Sequence, residues 1–156
     1  MLENDQIGIT DQGIALIKEF EGFRGTAYFD AAGIPTIGWG HTRSVDKKDV
    51  EQGLTITERE AEKFFEEDIQ KAINAVSFLV IVKLSSGQRD ALISFVYNIG
   101  PMAFENSTML RRLNDGEFEE AASEFGRWIY GGDKVLGGLV KRRKREEKLF
   151  RDGINV

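Results

Sequence analysis

Apolar residues recur at spacings of three and four in some stretches of the chain and alternate in others, and the change of period divides it. Ile14, Ile17 and Phe20 share one helical face, with Thr10 where an N-cap would stand and Gly22 where the helix would stop. The pattern therefore predicts a first helix with Glu21 at its C-terminal end. From Thr26 to Thr42 alternation takes over: AYFD and TIGWGHT read as short strands, and the Gly and Pro of AAGIP as the turn between them. Alternation in TIGWGHT puts Ile37, Trp39 and His41 on one face and Thr36, Gly38, Gly40 and Thr42 on the other. That second face is nearly bare, and glycine inside a strand marks close approach by a ligand or another backbone.

Helical period returns at Thr57, where TERE has the form of a capping box with Glu60 at N3. Ala61, Phe64, Phe65, Asp68, Ala72, Ile73 and Val76 then make a stripe about five turns long, the expected spine between two lobes. After Ser85 and Ser86 the period stays helical to the end of the sequence. DALISFVYNIG reads as a core helix stopped by Gly100 and Pro101, followed by the amphipathic segments STMLRRLNDG, EFEEAASEFGRWIY and LVKRRKREEKLFRDG. The expectation is one α+β, mostly helical domain over residues 1–156. It divides into a small mixed lobe at 10–56, a joining helix at 57–80 and a helical lobe at 84–156.

Composition narrows the function. A 156-residue chain with 41% hydrophobic and 30% charged residues has the mix of a folded globular domain. Zero cysteines exclude disulfides and thiolate metal sites, and a single histidine argues against a His-based one, so neither a metal nor a cofactor is expected. MLENDQIGIT lacks the basic and apolar regions of an export signal, and no apolar run approaches the roughly 18 residues of a membrane span, so stable membrane insertion is not expected. A net charge of −5 argues against nucleic-acid binding. The exception to the acidic balance is KRRKR, Lys141 to Arg145, which reads as a solvated helix face with Arg142 and Arg143 four residues before Glu146 and Glu147.

Candidate chemistry centres on EGFRGTAYFDAAGIPTIGWGHT, Glu21 to Thr42. Glu21 lies between Phe20 and Phe23, whereas Asp30 adjoins a turn. Two carboxylates in unlike surroundings can divide the roles of acid and base. Hydrolysis of a glycosidic bond uses such a pair, held roughly 6.5 to 9.5 Å apart when a water must fit between sugar and base. Thr36, on the bare strand face, is placed to help hold that water.

The spacing Glu, eight residues, Asp, five residues, Thr resembles the catalytic pattern of the T-even phage lysozyme family, glycoside hydrolase family 24, and falls here on Glu21, Asp30 and Thr36. EGxR and TIGxGHT are characteristic of that family. ITEREAEKFFEEDI resembles its interlobe helix, and the run from GQRDALISFVYNIG to SEFGRW its helical lobe, so the likeness extends from about Ile9 to Phe150. It implies a lysozyme-like fold with a glycan cleft between lobes. The activity implied is hydrolysis of the β-1,4 bond between N-acetylmuramic acid and N-acetylglucosamine in peptidoglycan. Gly40, Thr42, Tyr97 and Ser107 would line the sugar subsites, and His41 would pair with Asp68 of the interlobe helix. The same resemblance implies a monomer held in the host cytoplasm until a holin opens the inner membrane. Relatives of this kind are often basic and often carry a signal anchor, and this sequence departs on both counts.

Other readings stand beside these. His41 titrates near neutrality and is a conceivable base, but alternation sends it away from Thr36. Arg24 and Arg143 can steer Glu21, contact sugar or be ordinary surface cations. Trp39, Phe104 and Trp128 can stack on sugar rings or fill the core. Two rival functions remain: a lytic transglycosylase acting through Glu21 alone, and a non-catalytic protein that binds wall glycan or disrupts membranes with the basic helix of residues 139 to 150.

Overall fold

The computed structural model describes residues 8–154. Helix α1 (Asp11–Glu21) opens on Thr10, whose hydroxyl accepts from the Gly13 N–H, and closes on Gly22. Strands β1 (Arg24–Phe29) and β2 (Pro35–Gly38) form an antiparallel hairpin with Tyr28 opposite Thr36 and Phe29 opposite Pro35. The outer edge of β1 is met by the segment around Thr55, through Ala27 N–H to the Leu54 carbonyl and Ile56 N–H to that of Gly25. Between them lies α2 (Lys47–Glu51), capped by Asp46.

Helix α3 (Glu58–Leu79) begins with the reciprocal Thr57–Glu60 bonds that TERE promised. It buries Ala61, Phe65, Ile69, Ala72 and Val76. Helix α4 (Ser86–Ile99) is the centre of the protein: Ala91 to Val96 are buried without a break, because α1, α3 and the last helix all pack around it. A helix enclosed on every side needs no polar face, so its sequence shows little amphipathic contrast. Short helices α5 (Pro101–Glu105), α6 (Thr108–Asn114) and α7 (Phe118–Ala122) fold over one end of it. Pro101, expected only to stop α4, also occupies the first turn of α5, where its missing N–H costs nothing. Phe95, Phe104, Phe125 and Phe150 join the elements edge to face.

Two readings need correction. The helical period expected from Ser86 to the end of the sequence is broken after Trp128: Tyr130–Gly131 (β3) pairs with Lys134–Val135 (β4) in a small antiparallel hairpin before α8 (Gly137–Asp152) begins. TIGWGHT does not remain a strand either. Gly38 and Gly40 have φ of 68° and 76°, and His41 turns back to exchange both backbone hydrogen bonds with Ile37. A Cβ on Gly38 would touch Ala61 of α3, so this glycine admits a helix rather than a ligand.

Candidate active site

The hairpin and α1 bring the expected residues to one cleft. Tyr28, Asp30 and Thr36 share a face of β1 and β2, by the two-residue period on β1 and by the Tyr28–Thr36 pairing across the strands. Glu21 comes from the last turn of α1, and α3 and α4 form the opposite wall. The result is a cavity of about 390 Å³ whose lining includes Glu21, Tyr28, Asp30, Thr36, Gly40, Thr42 and Tyr97. A larger cavity of about 650 Å³, around Gln88 and Phe118, shares none of these residues. Volume therefore does not identify the site; convergence of the chemical groups does.

Each group has a definite state. Asp30 closes its own turn, with Oδ1 accepting from the Ala32 and Ile34 N–H groups at 2.8 and 2.9 Å, which leaves Oδ2 for the cleft. The Thr36 hydroxyl donates to the Ile34 carbonyl at 2.7 Å, so its oxygen is oriented to accept from elsewhere. Glu21 does not have the apolar surroundings expected from Phe20 and Phe23. Its Oε2 accepts from Arg142 Nη1 at 2.6 Å, and its Oε1 lies against Gly40, where any Cβ would collide with it. Phe23 instead packs on Trp39.

Arg142 is the group that sequence reasoning misses. Its spacing, like that of Arg143, predicts a solvated face, yet the two residues are only 3% and 1% exposed. Arg142 Nε donates to Glu146 Oε2 at 3.1 Å and Nη2 to the Ser94 carbonyl at 2.9 Å. Arg143 bonds the other Glu146 oxygen, Asn98 and the Trp128 carbonyl. Burial disfavours both cations. For Arg142 the carboxylates of Glu21 and Glu146 more than offset this and raise its pKa; for Arg143 burial prevails and lowers it. A signal exists in the sequence: Arg142 and Glu146 are one turn apart, compatible with either a surface pair or a buried one, and only the docking of α8 on α4 decides which.

Tyr28 is a second cleft residue that the sequence does not mark. Burial, then the Glu21 carboxylate, raises its pKa, so the phenol stays a neutral hydrogen-bond donor. Burial and Glu21 hold Tyr97 still higher, and its hydroxyl donates to the Trp39 carbonyl at 2.6 Å. Ser107 stands apart. It caps α6, its hydroxyl donates to the Phe104 carbonyl and accepts from the Leu110 N–H, and it is not among the residues lining the cleft. His41 faces away, with Nδ1 2.7 Å from Asp68, Nε2 2.7 Å from Ser44 and its ring stacked on Phe64. Arg24 lies over the Tyr28 ring. Trp39 and Phe104 are core, whereas Trp128 is half-buried. Among the described residues no cluster of His, Asp or Glu is arranged to hold a metal.

Comparison with known proteins agrees with the geometry. The Phage lysozyme family matches residues 18–146. The endolysin of Salmonella phage P22 is 45% identical over 142 residues, covering 91% of this chain and 97% of that protein. The endolysin of Bacillus phage B103 is 43% identical over 152 residues, covering 94% of this chain, but the chain spans only 55% of that longer protein. Among solved structures, the muramidase domain of SpmX from Asticaccaulis excentricus superposes with a TM-score of 0.78 at 38% identity, covering 91% of this chain and 96% of that one.

Proposed function

The chain belongs to the phage lysozyme family and is a glycoside hydrolase of that kind, and from this premise we propose that it cleaves the β-1,4 bond between N-acetylmuramic acid and N-acetylglucosamine of peptidoglycan with inversion. The observation that carries the proposal is the meeting of Glu21, Asp30 and Thr36 in one cleft. Because Arg142 occupies Oε2, the oxygen from which Glu21 delivers a proton as general acid is Oε1, beside Gly40. It gives that proton to the leaving glycosidic oxygen. Asp30 Oδ2 and the Thr36 hydroxyl hold a water on the opposite face of the sugar. As the glycosidic bond breaks, the water oxygen bonds to the anomeric carbon and its proton passes to Asp30, so one water is added overall. Gly40, Thr42 and the ring of Tyr97 are the sugar-contacting wall.

In this reading the protein acts as a monomeric endolysin that reaches the wall through a holin-opened membrane and releases phage. No described helix is long and apolar enough to cross a membrane.

The test compares wild type with Glu21→Gln on purified sacculi. Wild type should release muropeptides with free reducing ends, the α-anomer first by NMR, and the folded variant should leave the wall intact. Anhydro ends would mean transglycosylation instead. Wall clearing by Glu21→Gln at near wild-type rate would remove Glu21 from the chemistry, and the β-anomer as first product would overturn inversion.

A further inference from the structure

Past Asp30 the cleft does not end. A second cavity, of about 460 Å³, shares Asp30, Asn98 and Ile99 with the first and continues toward the β3–β4 hairpin. That volume lies in the range of roughly 300 to 1,000 Å³ typical of ligand pockets. Its walls are mainly apolar and include Trp128, Tyr130 and Leu139, with Arg127 and Asn98 as polar groups.

Two features suit these walls to a ligand rather than to folding. Trp128 is rigid: its ring meets Phe95 edge to face at 5.7 Å, and its carbonyl accepts from Arg143 Nε at 2.9 Å. Tyr130 is 56% exposed on a two-residue strand, where its ring adds little to the core. An aromatic ring held open in a concave wall, with amide and guanidinium donors near it, matches a pyranose. The sugar's C–H face lies on the ring, and its hydroxyl and acetamido groups meet the donors. The Asn98 carbonyl oxygen is engaged by Arg143, which turns the amide NH₂ away from that contact, and Arg127 pairs with Glu124 through Nε, leaving its terminal nitrogens.

We propose that this second cavity is a further sugar subsite, taking the residue of the glycan strand that lies next beyond those bound around Glu21 and Asp30. The proposal rests on the glycosidase reading above. It gives the β3–β4 hairpin a part in selecting long strands over short ones.

Binding of peptide-free muroglycan oligosaccharides to the inactive Glu21→Gln protein, measured calorimetrically as a function of length, tests this. Affinity should rise between tetrasaccharide and octasaccharide. Adding Tyr130→Ala should remove about three- to tenfold of that rise, the worth of one aromatic contact. Because Tyr130 is exposed, the double variant should melt with its parent. An equal loss at both lengths, or no loss at either, would overturn the subsite. So would dependence on Tyr130 that appears only with peptide-bearing strands, which would assign the cavity to the stem peptide. If no oligosaccharide binds and wild type fails to clear sacculi, the glycosidase reading falls with it.

Discussion

Replacing Glu146 by Gln isolates the charge of the buried network from its shape. Glu146 is 0% exposed and accepts from Ser94, Arg142 and Arg143. In the native protein the two buried guanidiniums face two carboxylates, Glu146 and the partly exposed Glu21. In the Glu146→Gln variant one buried cation loses its counter-charge, and breaking a buried ion pair from one side costs about 3 to 5 kcal/mol. At about 2 to 4 °C per kcal/mol for a chain of this size, the melting temperature should fall by about 6 to 20 °C. The control is Glu51→Gln, which removes the exposed 3.9 Å pair with Lys47 and should change stability by less than about 0.5 kcal/mol. Denaturant titration followed by circular dichroism gives both numbers. A loss below about 1 kcal/mol for Glu146→Gln would show that water or side-chain rearrangement solvates the two arginines and that the network is not a closed set of charges.

Gly40→Ala forces a Cβ against Glu21 at a backbone φ of 76°; the left-handed conformation alone costs about 1 to 2 kcal/mol, and wall clearing assayed well below the melting point should drop by more than stability explains. Unchanged turnover would show that the Glu21 side chain can move aside. Tyr28→Phe should lower turnover about two- to thirteenfold, the value of one neutral hydrogen bond, with no shift in melting temperature; an equal fall in both would make Tyr28 structural. The bonds from the Thr57 backbone N–H and hydroxyl hold the Glu60 carboxyl below its ordinary 4.5. Its stabilising contribution is therefore present above the unfolded value and lost as pH falls through the folded one. Glu60→Gln should melt below wild type near pH 6, and the gap should narrow as pH falls below the ordinary carboxyl value. A gap that stays constant with pH would refute the charge argument.

Local rules made much of this legible. Thr10 and Gly22 bounded α1, TERE marked the start of α3, and the place of Thr36 on the bare strand face followed from alternation in a hairpin, because each depends on neighbours within a few residues. What escaped depends on distant partners. Arg142 and Arg143 look like surface cations until α8 docks, and Gly38 looks like a ligand contact until Ala61 arrives against it. The β3–β4 hairpin is two residues a side, too short for alternation to show. Ser107 carries no local mark to separate a helix cap from a sugar contact, and the structure gives it the cap.

The Glu21–Arg142 bond also sets a clock. Its two ends are 121 positions apart, so at about 5 to 20 residues per second a ribosome takes roughly 6 to 24 s to travel from one to the other. For all but the first 15 residues of that interval the growing polypeptide contains Glu21, Asp30 and Thr36 while the arginine that holds Glu21 has yet to be translated. An unfinished chain, or one stripped of α8 by a protease, thus keeps every residue of the proposed chemistry and lacks the grip on Glu21.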